Sequence, residues 1–108
     1  MNNKTIAILM TAPNMEVAEK IAEILVKSKL AACVNISSPI RSIYFWGGKL
    51  ISDNEVMMVA KTRVDLFGDE FIEAVKNIHP YQVPEIIALP ILDGSDDYLA
   101  WICDVTKK

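Results

Sequence analysis

The chain has 108 residues, of which 52% are hydrophobic and 23% charged. That length and composition suit one globular domain over residues 1–108 and argue against disorder. Eleven Lys/Arg against 14 Asp/Glu leave a net charge of −3, which speaks against a nucleic-acid partner.

The charge is uneven, with six basic and three acidic side chains in residues 1–52 and five and eleven in residues 53–108. The longest apolar runs, Ile6–Met10 and Ile86–Leu92, fall far short of the ~20 residues of a membrane span. Lys4 leads into a short apolar run with no small-residue cleavage site behind it, the pattern expected without a signal peptide. Cys33 and Cys103 belong to no Cys-x-x-Cys pair, so neither a zinc site nor an intrachain disulfide is expected. The expectation is a cytoplasmic protein with reduced thiols and no membrane partner.

From the N-terminus, Lys4 to Ala12 is apolar and β-branched and reads as a buried strand ended by Pro13-Asn14. Asn14 is placed to cap a helix running to Lys29, with Val17, Ile21, Ile24, Leu25 and Ser28 on its inner face. Glu16–Lys20 and Glu23–Lys27 are i,i+4 pairs on its wet side. Ala31 to Ile36 alternates, breaks at Ser37-Ser38-Pro39 and resumes from Ile40 to Trp46. Gly47-Gly48 then fits a tight hairpin turn into a return strand, Lys49 to Arg63. Met57 and Met58 are neighbours on that strand and point to opposite faces, so they cannot chelate together.

Asp65 is positioned to cap a second helix with Phe67, Phe71, Ala74, Val75 and Ile78 inward, and His79-Pro80 stops it. Pro84 to Leu92 reads as a strand that Pro90 confines to an edge or a bulge. Ser95-Asp96-Asp97 opens a last helix carrying Tyr98, Trp101, Ile102 and Val105. The order β-α-β-β-α-β plus a terminal helix predicts an α+β, ferredoxin-like sandwich with both main helices on one face of an antiparallel sheet. Sixteen residues from Ala31 to Trp46 extend to about 50 Å. The helix meant to cover them spans about 24 Å. Half of the hairpin therefore overhangs with Tyr44, Phe45 and Trp46, and such an edge calls for a partner chain.

With four glycines there is no Gly-rich phosphate cradle and no Gly-x-Ser-x-Gly turn, so no enzyme of the usual kinds is expected. Cys33 with the sole histidine, His79, is a conceivable nucleophile pair, but a cysteine in an apolar strand is ordinarily packing. His79-Pro80-Tyr81-Gln82-Val83-Pro84-Glu85 is a stiff loop carrying an imidazole, a phenol and a carboxylate. It reads either as a helix stop with a hydrogen-bonded His79 or as a metal or small-ligand site. Lys61 and Glu85 lie in apolar strands and are candidates for an ion pair or for ligand binding. Arg41 and Lys49 on the overhang read as solvated or intersubunit side chains, and Met10, at the end of the first strand, is the methionine next to a loop.

Thr11-Ala12-Pro13, Leu30 to Ile36, Ser42 to Lys49, Glu55 to Met58, Lys61-Thr62, His79 to Glu85 and Tyr98-Leu99-x-Trp101 occur in order. Together they resemble the CutA divalent-cation tolerance proteins over residues 5–106. The resemblance implies a homotrimer joined through long hairpins, a non-enzymatic role in divalent-cation tolerance, and copper binding in some members. Copper-binding members carry a cysteine before Thr-Ala-Pro and a histidine doublet before Pro-Tyr. Met10 and Ile78 hold those places here, so the implied copper site is weak, anchored on His79 with Met10 beside it. A second implication follows from PII-like sensors, which share the trimeric plan and bind ligands between subunits. Tyr44, Trp46, Lys61, Tyr81, Glu85 and Trp101 would line such a cleft. An acylphosphatase-like hydrolase ranks behind both, because Thr11-Ala12-Pro13-Asn14 is no anion loop. If the hairpins close an oligomer, the melting temperature rises with protein concentration. A melting curve unchanged by dilution, with a monomer mass, would refute that assembly.

Overall fold

The computed structural model describes residue 2 and residues 4–107 of the chain. Strand β1 (Thr5–Ala12) leads into helix α1 (Met15–Lys27), and the long strands β2 (Cys33–Trp46) and β3 (Lys49–Arg63) follow. A 3-10 turn (Val64–Leu66), helix α2 (Asp69–Lys76), strand β4 (Ile86–Pro90) and helix α3 (Asp96–Val105) complete the order. Every strand pairing is antiparallel, in the spatial order β2-β3-β1-β4. The expected succession of elements is therefore present, and β1 and β3 are the inner strands.

Local chemistry explains the boundaries. Asn14 caps α1 by accepting the Val17 N–H at 2.9 Å. Lys29, in the left-handed region at φ 62°, turns the chain out of the helix. Gly47 and Gly48, at φ 60° and 76°, make a hairpin turn that strands with right-handed twist favour. The cap expected at Asp65 is not formed: Asp65 pairs with Arg63 at 2.8 Å, and α2 starts after Gly68. Pro90 ends β4, an outer strand, where its missing N–H costs no ladder bond.

The alternation of β1 and β3 sorts their side chains cleanly. Ile6, Ile8, Met10 and Ala12 of β1 and Val56, Met58 and Ala60 of β3 are buried with Ala18, Ile21 and Leu25 of α1 and Phe71 and Val75 of α2. Ile24, assigned from spacing to the inner face of α1, is 45% exposed, because the buried stripe is narrower than the periodicity implied. Thr62 is fully buried and donates to the Leu30 carbonyl at 2.6 Å. The opposite, open face carries the odd-numbered residues of both inner strands. Helix α3 covers one end of it, through contacts of Tyr98 with Cys33 and of Thr106 with Arg63.

The Ser37-Ser38 break is a β-bulge, and β2 runs through it. Ile36 pairs with Met58 and Pro39 with Val56, so Ser37 and Ser38 together oppose Met57, whose N–H donates to Ser37 Oγ at 2.8 Å. The extra residue inverts the alternation of everything beyond it. Ser42, Tyr44 and Trp46 thereby join the open face with Asp53 and Glu55, while Ile43, Phe45 and Leu50 take the helix side. The hairpin extends past both helices, in a molecule measuring 44 × 25 × 24 Å, and those three apolar residues are 66–74% exposed.

Phe71 is the largest fully buried side chain. The Phe71→Ala substitution is expected to destabilise the fold by about 3–5 kcal/mol. Guanidinium unfolding at fixed protein concentration measures it, and a loss under 1 kcal/mol would mean that the core closes without α2.

Candidate functional site

Beyond the end of β1, the segment after α2 folds across the open face. The His79 N–H completes α2 by bonding to the Val75 carbonyl at 2.9 Å, and its ring is buried. Nε2 lies 2.8 Å from the Thr11 carbonyl, and Nδ1 accepts the Tyr81 N–H at 3.1 Å. A carbonyl can only accept and a backbone N–H can only donate, so this geometry fixes the neutral imidazole with its proton on Nε2. Both ring nitrogens are occupied. His79 is a buckle that fastens the loop to β1, and a metal would have to displace one of its two bonds.

Tyr81 packs against the His79 ring at 4.7 Å and donates its phenol to Glu55 Oε2 at 2.9 Å. Tyr44 donates to Asp53 Oδ2 at 2.6 Å. Burial, followed by the Glu55 bond, raises the Tyr81 phenol well above its ordinary value. The bond to Asp53 is the main cause that pushes Tyr44 up to about 12. Both phenols are thus protonated donors facing carboxylates. Around them opens a cleft of about 590 Å³, whose lining includes Thr11, Tyr44, Trp46, Glu55, Tyr81 and Glu85.

Of the six residues expected to line a ligand cleft, the fold brings together Tyr44, Trp46, Tyr81 and Glu85. Lys61 and Trp101 sit apart, at the α3 end of the same face. Lys61 pairs in register with Ala7 and Cys33 and bonds to Asn35. It lies six positions along β3 from Glu55, about 20 Å at strand rise. The Lys61–Glu85 ion pair does not form, because β4 starts opposite Met10, beyond the reach of Lys61. Trp101 stacks on Tyr98 at 5.7 Å, and the Tyr98 hydroxyl lies 3.5 Å from Cys33 Sγ, a contact that with burial pushes its phenol up to about 12. Cys33 therefore meets Tyr98 and not His79.

Met10, expected beside a loop as a metal ligand, is 1% exposed. It lies between Met58 and Ile86 on the helix side of the sheet, so its thioether packs the core. Among the described residues no group of three or more His, Cys, Asp or Glu side chains is arranged to hold a metal ion. Sequence reasoning passed over Glu55 and Asp53 as ligand candidates. The signal available was the alternation of β3, which puts the carboxylates of Asp53 and Glu55 on one face with Met57 and Val59.

Comparison with known proteins fits this architecture. The family model for the CutA1 divalent ion tolerance protein matches residues 6–105. The Divalent-cation tolerance protein CutA of Thermus thermophilus is 46% identical over 99 residues, covering 92% of this chain and 95% of that protein. The chloroplastic Protein CutA of Arabidopsis thaliana is 47% identical over 104 residues; the match covers 96% of this chain but only 57% of that longer protein. The solved CutA1 structures from Thermus thermophilus and Oryza sativa superpose with TM-scores of 0.91 and 0.92 at 45% and 43% identity. They cover 95% and 97% of this chain, and 99% and 95% of theirs. On sequence and on structure, this chain belongs to the CutA1 divalent ion tolerance family.

Proposed function

We propose that this chain is a non-enzymatic, homotrimeric binding protein of the cytoplasm that serves divalent-cation tolerance through a small-ligand cleft. The observation that carries the reading is the cleft beside Tyr44, Glu55, Tyr81 and Glu85, whose size falls in the small-ligand range. Two apolar surfaces support assembly. One is the hairpin tip with Ile43, Phe45 and Leu50, and the other is the open face with Ile87 and Leu89, both 44–48% exposed. Distinct patches on one chain join head to tail, and such contacts make a ring where the rotation between copies closes. The non-catalytic reading rests on the two phenols of the cleft, which keep their protons, and on His79, which lies outside the lining and has no lone pair to spare. The cytoplasmic reading rests on the sequence expectation that Cys33 and Cys103, seventy positions apart and in no Cys-x-x-Cys pair, suit a reducing compartment.

Copper is the competing ligand, and it would reach His79 only at the expense of the loop buckle. Native mass spectrometry of the metal-stripped protein is expected to give a trimer whose uptake of added Cu(II) is unchanged by His79→Ala. One copper per subunit, lost in His79→Ala, would make this a copper protein instead.

The phenols generate a pH dependence. Tyr44, Tyr81 and Tyr98 are all raised above 10, the unfolded value, so the folded chain holds their protons more tightly. Their stabilising contribution is complete below about pH 10; that of Tyr44 and Tyr98 is lost as pH rises through about 12, and that of Tyr81 at still higher pH. Ultraviolet titration of the tyrosines is expected to show none ionising with a midpoint at 10 while the chain is folded. A normal midpoint in Tyr98→Phe, where Tyr44 and Tyr81 alone titrate, would show that the phenol–carboxylate bonds are absent.

A further inference from the structure

The charged side chains that line the cleft are all acidic: Glu55 and Glu85 contribute carboxylates, and no Lys, Arg or His is among the lining residues. Glu55 is only 6% exposed. Its hydrogen-bond partner is a neutral phenol, that of Tyr81, and the ion pairs of the described residues, Lys27–Glu23, Arg63–Asp65 and Lys107–Glu70, lie elsewhere. A buried carboxylate without a cation is costly, and a cation that enters beside it gains in proportion. Asp53, bonded to Tyr44, adds a third negative charge close by.

The walls discriminate between cations. Tyr44, Trp46 and Tyr81 bring aromatic rings to the same cleft, and aromatic rings attract organic cations through their π faces. Copper and zinc ask for imidazole or thiolate, which the lining does not supply, and a hard ion held by one or two carboxylates completes its shell with water and makes no use of the aromatic walls. The volume, about 590 Å³, is that of a small organic molecule and far exceeds a bare ion. The geometry points to a primary organic ammonium ion as the ligand class, its N–H groups donating to Glu55 and Glu85 and its carbon skeleton lying on Tyr44 and Trp46. This assignment rests on the reading of the cleft as the binding site, and it names the chemistry that reading left open.

Benzylamine, protonated at pH 7, and benzyl alcohol share a skeleton and differ in charge. Isothermal titration calorimetry of the assembled protein with each, and with benzoate, separates the alternatives. Benzylammonium is expected to bind at least about tenfold more tightly than benzyl alcohol, as charge-assisted hydrogen bonds imply. Glu55→Gln, which retains an acceptor for Tyr81, and the exposed-site variant Glu85→Gln are each expected to lower that affinity about tenfold, with the trimer mass unchanged. If benzyl alcohol or benzoate binds as tightly as the amine, with Tyr44→Ala abolishing binding, the cleft stands as a site and the ammonium assignment falls. If Mg(II) or Cu(II) binds in a Glu55-dependent manner and the amine does not, a metal is the ligand and the assignment falls likewise. If none of these probes binds, both the assignment and the small-ligand reading fall.

Discussion

One extra residue in β2 determines what the rest of the hairpin can do. Successive side chains of a strand alternate between faces, so a single inserted residue exchanges the faces of everything that follows. The Ser37-Ser38 bulge opposite Met57 makes that exchange just where the strand leaves the cover of the helices. Without it, Tyr44 and Trp46 would lie on the side of Val34 and Ile36, away from Glu55 and Tyr81. The cleft, its phenol–carboxylate bonds and the apolar strip of Ile43, Phe45 and Leu50 all follow from this local irregularity.

The loop after α2 makes the second half of the cleft, and it is held by backbone chemistry. His79 uses a helix-closing N–H, a bond to the Thr11 carbonyl and a bond from the Tyr81 N–H, so one side chain ties α2, β1 and the loop together. Tyr81 is then aimed at Glu55 with little freedom left to it. Divalent-cation tolerance in the family is consistent with several chemistries. In this chain the imidazole works as a structural fastener, and the charged side chains that line the cleft are the carboxylates of Glu55 and Glu85.

Much of the fold was legible in the sequence because its signals are local. The periods of Ile6–Met10 and Val56–Met58, the Asn14 cap, the Gly47-Gly48 turn and the Pro90 edge each speak through a few neighbouring residues. What was not legible depends on pairing. Met10 ends a strand in sequence, but its place between two partners, Met58 and Ile86, buries it. Lys61 and Glu85 lie on strands flanking β1 or its approach, yet the register sets them at different heights. Lone pairs consumed by main-chain groups, as at His79, leave no trace in residue identities. Tyr44, Trp46, Tyr81 and Glu85 were found together because a hairpin end and a stiff loop are each recognisable, and because family resemblance put them in one cleft.

The two free edges of the sheet carry a further implication. β2 presents Pro39 directly after its bulge, and β4 is five residues long and ends in Pro90. A proline withholds a donor and a bulge breaks the even spacing that an added strand needs. Open-ended strand addition of the kind that builds amyloid is thus interrupted along both margins. A chain that leaves Phe45 and Leu50 in water can therefore be sticky through its side chains while its backbone offers poor templates for fibre growth.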